Sequence, residues 1–171
     1  SIMLWILSVR LLPPIAVTVP FFLIYSWTGL IDTQIGLVLA YTVGGVAFFI
    51  WMMYGFMSDV PVDLDDAAMV DGCTRLQTLF RVILPTVITG LATTMAFTFI
   101  FAWNEFELAL VLTSYSAVTA PVQINNVLGE YTTNWGVMMA SASIYIIPLV
   151  LLVYILQRYM IRGLTFGAVK G

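Results

Sequence analysis

The chain alternates long apolar runs with short polar connections. A helix that crosses a bilayer needs about 20 consecutive apolar residues, and four runs meet that length, at approximately 2–27, 34–57, 86–112 and 136–160. Pro13 and Pro14 fall inside the first run, beside Arg10, and are expected to kink it. In the second run Gly36, Ala40 and Gly44 recur at four-residue spacing. They form either a stripe for close helix approach or ordinary membrane-helix composition; Gly136 and Ala140 repeat the pattern more weakly in the last run. The pattern predicts an all-α polytopic transmembrane bundle, with residues 1–171 as one membrane domain.

Between the second and third runs the chain turns polar over 58–85, and the local signals predict two short helices meeting at an elbow. Pro61 suits a first helical turn, and Asp63, Asp65 and Asp66 favour the positive end of a helix dipole. Gly72 fits the position just past the helix end. Thr74 can cap a second helix, with Gln77 completing a capping box. Leu76, Leu79, Phe80 and Ile83 then follow the rhythm of one apolar face, and Pro85 stops the helix or opens the next run. An apolar face outside the membrane needs a cover. It either packs on the ends of the chain's own spans or docks on another protein, and the acidic first helix and glycine hinge favour docking.

Composition reinforces the membrane reading: 61% of residues are hydrophobic and 9% charged, against about 25% charged in a soluble domain. Arg75, Arg81, Arg158, Arg162 and Lys170 follow the second and fourth runs, whereas the other two connections carry no Lys or Arg. The positive-inside rule therefore predicts that the 58–85 loop and the 161–171 tail are cytoplasmic. Trp27, Tyr131 and Trp135 suit the outer interface. Cys73 is the sole cysteine, which excludes an intrachain disulfide, and the chain has no histidine. Lys170, the only lysine, stands in no phosphate-cradling motif, so the chain is not expected to be an ATPase. It enters an apolar stretch directly from Ser1 without a signal-peptide pattern, as an N-terminally truncated fragment would.

Polar groups at membrane depth are costly and usually face a cavity or partner. Trp103, Asn104, Glu105 and Glu107 lie in the outer half of the third run. Asn104 and Glu107, three apart, would share a helical face, and with Trp103 could meet a sugar's hydroxyls and apolar ring face. Alternatively the span ends earlier and the glutamates are solvated. Trp51, Tyr54 and Tyr145 are pathway aromatics or helix packing. Residues 123–131 read as a short amphipathic helix outside the spans, suited either to a solute-binding protein or to covering the bundle.

Asp66-Ala67-Ala68, three residues, Gly72, nine residues, Val82, one residue and Leu84-Pro85 together form a spaced pattern. It resembles the EAA loop of binding-protein-dependent ABC importers, E-A-A, three residues, G, nine residues, I-x-L-P. Asp66 replaces the usual Glu and Val82 the usual Ile. The tail from Gly163 to Gly171 is similar to the ending of carbohydrate-class permeases, including the smaller permease subunit of the maltose importer. The resemblance implies a type I permease fold with six spans, two of them preceding Ser1, in the cell membrane of a prokaryote. It implies a second permease subunit, two ATP-binding subunits holding ATP and Mg, and an extracytoplasmic solute-binding protein, with no cofactor, metal or nucleic acid on this chain. The residues implied to dock on an ATPase subunit are Asp66, Ala67, Ala68, Asp71, Gly72, Leu76, Leu79, Phe80, Leu84 and Pro85. The alternatives are a permease for a non-sugar solute and a membrane protein that anchors a cytosolic complex through the same loop. An enzyme using Glu105 or Glu107 as acid or base finds no supporting nucleophile or metal-ligand motif.

Overall fold

The computed structural model describes residues 2–127 and 134–166. Its helices are α1 (Ile2–Leu11), α2 (Pro14–Thr28), α3 (Gln34–Ser58), α4 (Val62–Val70) and α5 (Arg75–Thr78). A π-helical turn at Leu79–Ile83 follows, then α6 (Leu84–Thr86), α7 (Ile88–Trp103), α8 (Glu107–Leu112), α9 (Ala120–Asn126) and α10 (Trp135–Phe166). The last residues of the amphipathic segment expected at 123–131, and the tail from 167 onward, lie outside the described residues.

Two of the expected runs, 34–57 and 136–160, each fall on a single helix, α3 and α10, both long and apolar enough to cross a membrane. The other two are not single helices. The run 2–27 breaks rather than kinks, because Pro13 precedes another proline and is held extended at φ −58°, ψ 131°. Pro14 then opens α2, where its missing N–H costs no helical bond. The run 86–112 ends its first helix at Trp103, and α8 is a separate short helix.

The segment Arg75–Thr86 meets α7 at 79°. Pro85 explains part of the irregularity ahead of the bend: in a regular helix its ring would meet the carbonyl of Arg81. The chain widens into the π turn instead, where the Leu84 N–H reaches back to the Leu79 carbonyl.

Helices α3 and α7 pack closely where Gly90 meets the ring of Phe56; a Cβ on Gly90 would overlap that ring. Thr93 and Thr94 are fully buried in the same layer. Their hydroxyls donate to the carbonyls of Thr89 and Gly90, each at 2.8 Å, so apolar surroundings cost them no hydrogen bond. Towards the other end of α3, Tyr25, Leu37, Ala40, Leu112, Ala117 and Val122 join α2, α3, α8 and α9 in one core. Gly36 is buried there against the Leu30 carbonyl and the Tyr25 ring, whereas nothing lies within reach of a Cβ on Gly44. The expected small-residue stripe is therefore a close contact at Gly36 and Ala40 alone.

The α10 window Trp135–Gln157 buries no residue, and its Ile144, Ile147, Leu151 and Ile155 are more than half or half exposed. Apolar surface of this extent is stable in hydrocarbon or against another membrane helix, not in water.

Candidate functional site

The polar loop folds as an elbow. Asp63 and Asp65 occupy the first turn of α4. Gly72 closes that helix in the left-handed region at φ 85°, where its N–H donates to the Met69 carbonyl at 3.1 Å and the Cys73 N–H to the Ala68 carbonyl at 3.0 Å. This pair of bonds is the Schellman arrangement that glycine favours. Thr74 then caps α5: its N–H donates to Gln77 Oε1 at 2.9 Å, and the Gln77 N–H donates to Thr74 Oγ1 at 3.4 Å. The capping box read from the sequence is present.

The elbow turns some of the singled-out residues outward and folds others in. Asp66, Ala67 and Asp71 are exposed, while Ala68 is buried. Leu76 and Phe80 are 68% and 64% exposed, and Pro85 is exposed with Leu84 half-buried beside it. Leu79 and Ile83 instead line a groove against Met57, Val62 and Met69. The single apolar face expected for Leu76, Leu79, Phe80 and Ile83 is thus divided. The π turn begins at Leu79, and its wider i→i+5 bonding ends the 3.6-residue rhythm on which that expectation rests.

The membrane-depth group is likewise rearranged. Asn104 caps the end of α7, its amide donating to the Ile100 carbonyl at 2.7 Å. Glu105 lies in the break, and its two carboxylate oxygens accept the N–H groups of Leu108 (2.8 Å) and Ala109 (3.1 Å) at the start of α8. Glu107 is the first residue of α8 and accepts the Thr18 hydroxyl of α2 at 3.4 Å. Asn104 and Glu107 therefore sit on different helices and share no helical face. The reason is local: a carboxylate that caps a new helix start competes with continuation of the old one. Trp103 stacks between Phe99 and Tyr145, with centroids 5.4 and 5.6 Å away, so its ring is already engaged. The Tyr145 hydroxyl lies 2.8 Å from the Trp103 carbonyl and 3.1 Å from Asn104 Oδ1.

Sequence reasoning missed Asp32. In the turn between α2 and α3, at φ 58°, its carboxylate accepts the backbone N–H groups of Ser114, Tyr115, Ser116 and Ala117 at 2.9 to 3.1 Å. The only sequence signal is an acid at a run boundary, because its partners are more than eighty positions away. The amides of Ser114 and Ser116 lead in holding its pKa well below the usual carboxylate range. The bonds link the α2–α3 turn to the loop before α9. A depressed folded pKa means that this link is fully present above the ordinary carboxyl value of about 4, weakens progressively below it and is lost only as pH falls through the depressed folded value. Asp32→Asn is expected to speed hydrogen exchange at the amides of residues 114–117 at pH 7. The wild-type protein should move toward that faster exchange progressively as pH falls from about 4 toward the depressed folded value, after correction for intrinsic exchange rates. Identical protection in both proteins at pH 7 would refute the clamp.

The family of binding-protein-dependent transport system inner membrane components matches residues 1–166. The chain belongs to that family. It is 34% identical over 99% of its length to a probable ABC transporter permease protein, y4oR, of Sinorhizobium fredii, covering 61% of that protein. It is 40% identical over 96% of its length to the trehalose transport system permease protein SugB of Mycobacterium tuberculosis, again covering 61%. With the trehalose/maltose transport system permease protein MalG of Thermococcus litoralis it shares 36% identity over 98% of the chain and 61% of the relative. The chain thus spans about three-fifths of the length of these curated relatives. Family and apolar helices agree that the protein is membrane-embedded.

Proposed function

We propose that this chain is the membrane-spanning part of a permease subunit in an ATP-driven importer of a sugar or oligosaccharide. In this reading the 58–85 loop receives the motion of a separate ATPase subunit, and ATP and Mg belong to that subunit. A second permease subunit completes the pathway, and an extracytoplasmic solute-binding protein delivers the solute. The loop and the C-terminus face the cytoplasm, as the positive-inside rule requires.

The observation that carries the reading is the elbow itself. Its spacing resembles the EAA pattern, it presents Asp66 and Ala67 on one short helix, Leu76 on the next and Phe80 on the π turn that continues it, and it joins α7 through a sharp bend. Exposed apolar side chains beside acids on a rigid two-helix unit suit a basic, apolar cleft on a soluble partner. The names of SugB and MalG, which include trehalose and maltose, support the carbohydrate class.

The test is reconstitution of the full-length subunit with its candidate partners in proteoliposomes. Binding protein plus trehalose should stimulate ATP hydrolysis, and Asp66→Lys should reduce that stimulation about tenfold, equivalent to about 1.4 kcal/mol. Stimulation unchanged by Asp66→Lys would remove the docking assignment. An anchoring protein, the competing reading, predicts co-purification with a soluble complex and no solute-dependent hydrolysis.

A further inference from the structure

Three spans bring an unusual set of polar groups together in the outer half of the bundle. Tyr41 lies on α3 and Tyr145 on α10, at about 10 and 15 Å from the helix starts by residue count. Trp103 and Glu105 flank the end of α7. The Tyr41 hydroxyl is close enough to the Glu105 carboxylate and the Tyr145 hydroxyl to interact with both, without closing a hydrogen bond to either. Among the described residues, Tyr41 Oη and Trp103 Nε1 are both buried without a hydrogen-bond partner, although buried polar groups in folded proteins are nearly always paired. Tyr145 has one proton for the two acceptors beside it and retains acceptor capacity. Glu105 accepts one backbone N–H on each oxygen, and its remaining lone pairs lie beside the Tyr41 hydroxyl.

We infer that Tyr41, Trp103, Glu105 and Tyr145 form a solute-contact site selective for neutral polyhydroxy compounds. The inference rests on the permease reading above and assigns that pathway its recognising residues. The unused capacity mixes donors (the indole N–H and the Tyr41 O–H) with acceptors (Glu105 and Tyr145), and a sugar hydroxyl is both donor and acceptor. The set holds no cation to neutralise an acidic solute, and Glu105 repels one. Recognition by hydrogen bonds to otherwise unpaired groups discriminates strongly, because a solute lacking the matching hydroxyl leaves them unpaired. Trp103 contributes its N–H rather than its ring face, which Phe99 and Tyr145 occupy. In this conformation Tyr41 Oη and Trp103 Nε1 are closed off from water, so contact requires the opening that alternating access supplies.

The experiment uses the complete reconstituted complex and measures maximal uptake of trehalose, of maltose and of a trehalose analogue bearing one amino group. The same binding protein serves every variant, so its own preferences cancel when ratios are compared with wild type. Tyr41→Phe, which keeps the ring and removes the hydroxyl, and Trp103→Phe, which keeps an aromatic ring and removes the indole N–H, should each slow trehalose uptake about tenfold and shift the trehalose-to-maltose ratio at least threefold, with complex assembly unchanged. Equal slowing of both sugars marks a packing role and overturns the inference, as does no slowing. Amino-analogue uptake faster than trehalose in wild type, abolished in Glu105→Gln, would make this a cation site and overturn it too. A wild-type complex that assembles and imports none of the three defeats the permease reading itself, whereas normal import with insensitive Tyr41 and Trp103 variants defeats this site alone.

Discussion

Gly72→Pro is expected to abolish solute-stimulated ATP hydrolysis and uptake, by more than tenfold, while the spans stay folded and the complex still co-purifies in part. Gly72 adopts φ 85°, a region closed to proline, whose ring fixes φ near −65°. Proline also removes the N–H that donates to the Met69 carbonyl. Both losses fall at the left-handed turn by which the chain leaves α4 for α5. Gly72→Ala separates the two effects: a Cβ there meets nothing within 4 Å, and the N–H remains, so only the left-handed backbone is penalised, by about 1–2 kcal/mol. Alanine should retain most of the uptake and proline almost none. Uptake by the proline variant at the wild-type rate would show that the elbow angle transmits nothing.

Much of this elbow was legible because its determinants are local. Asp63, Gly72, Thr74 and Gln77 each act within five residues of their partners, so helix end and helix start could be read from spacing alone. The apolar face was legible only as far as Thr78, since the π turn depends on how Pro85 is accommodated in three dimensions. The long apolar helices α3 and α10 announce themselves by length. The broken runs do not: hydropathy sums over 86–112 without registering that Glu105 caps the start of a new helix, and over 2–27 without distinguishing a kink from a break. Asp32 and Tyr41 were invisible for a further reason. Their significance lies in contacts with residues 114–117 and Glu105, which only the folded chain brings near.

The second large effect concerns the junction that feeds the elbow. Spans α3 and α7 lead into and out of the loop, and they meet where Gly90 lies on the Phe56 ring. Gly90→Val puts three carbon atoms into space the ring already fills. Overpacking of this kind costs about 1–3 kcal/mol when neighbours can shift. Here Thr93, Thr94 and Ala96, all fully buried next to Gly90 on α7, leave the backbone little freedom to retreat, so the upper end of that range is expected. Thermal melting of the detergent-solubilised subunit should fall by several degrees, by about 2–4 °C for each kcal/mol in a chain of this size. Phe56→Ala in the same molecule should restore part of the loss, because the aromatic ring that clashes with the valine is gone. The coupling in that double-mutant cycle should exceed about 0.5 kcal/mol. Strict additivity, or wild-type melting of Gly90→Val alone, would mean that α3 and α7 do not approach at this point. A lever between them would then have no fixed base, since movement imposed on α4 and α5 reaches α7 as rotation only if the inner ends of the two spans are held together.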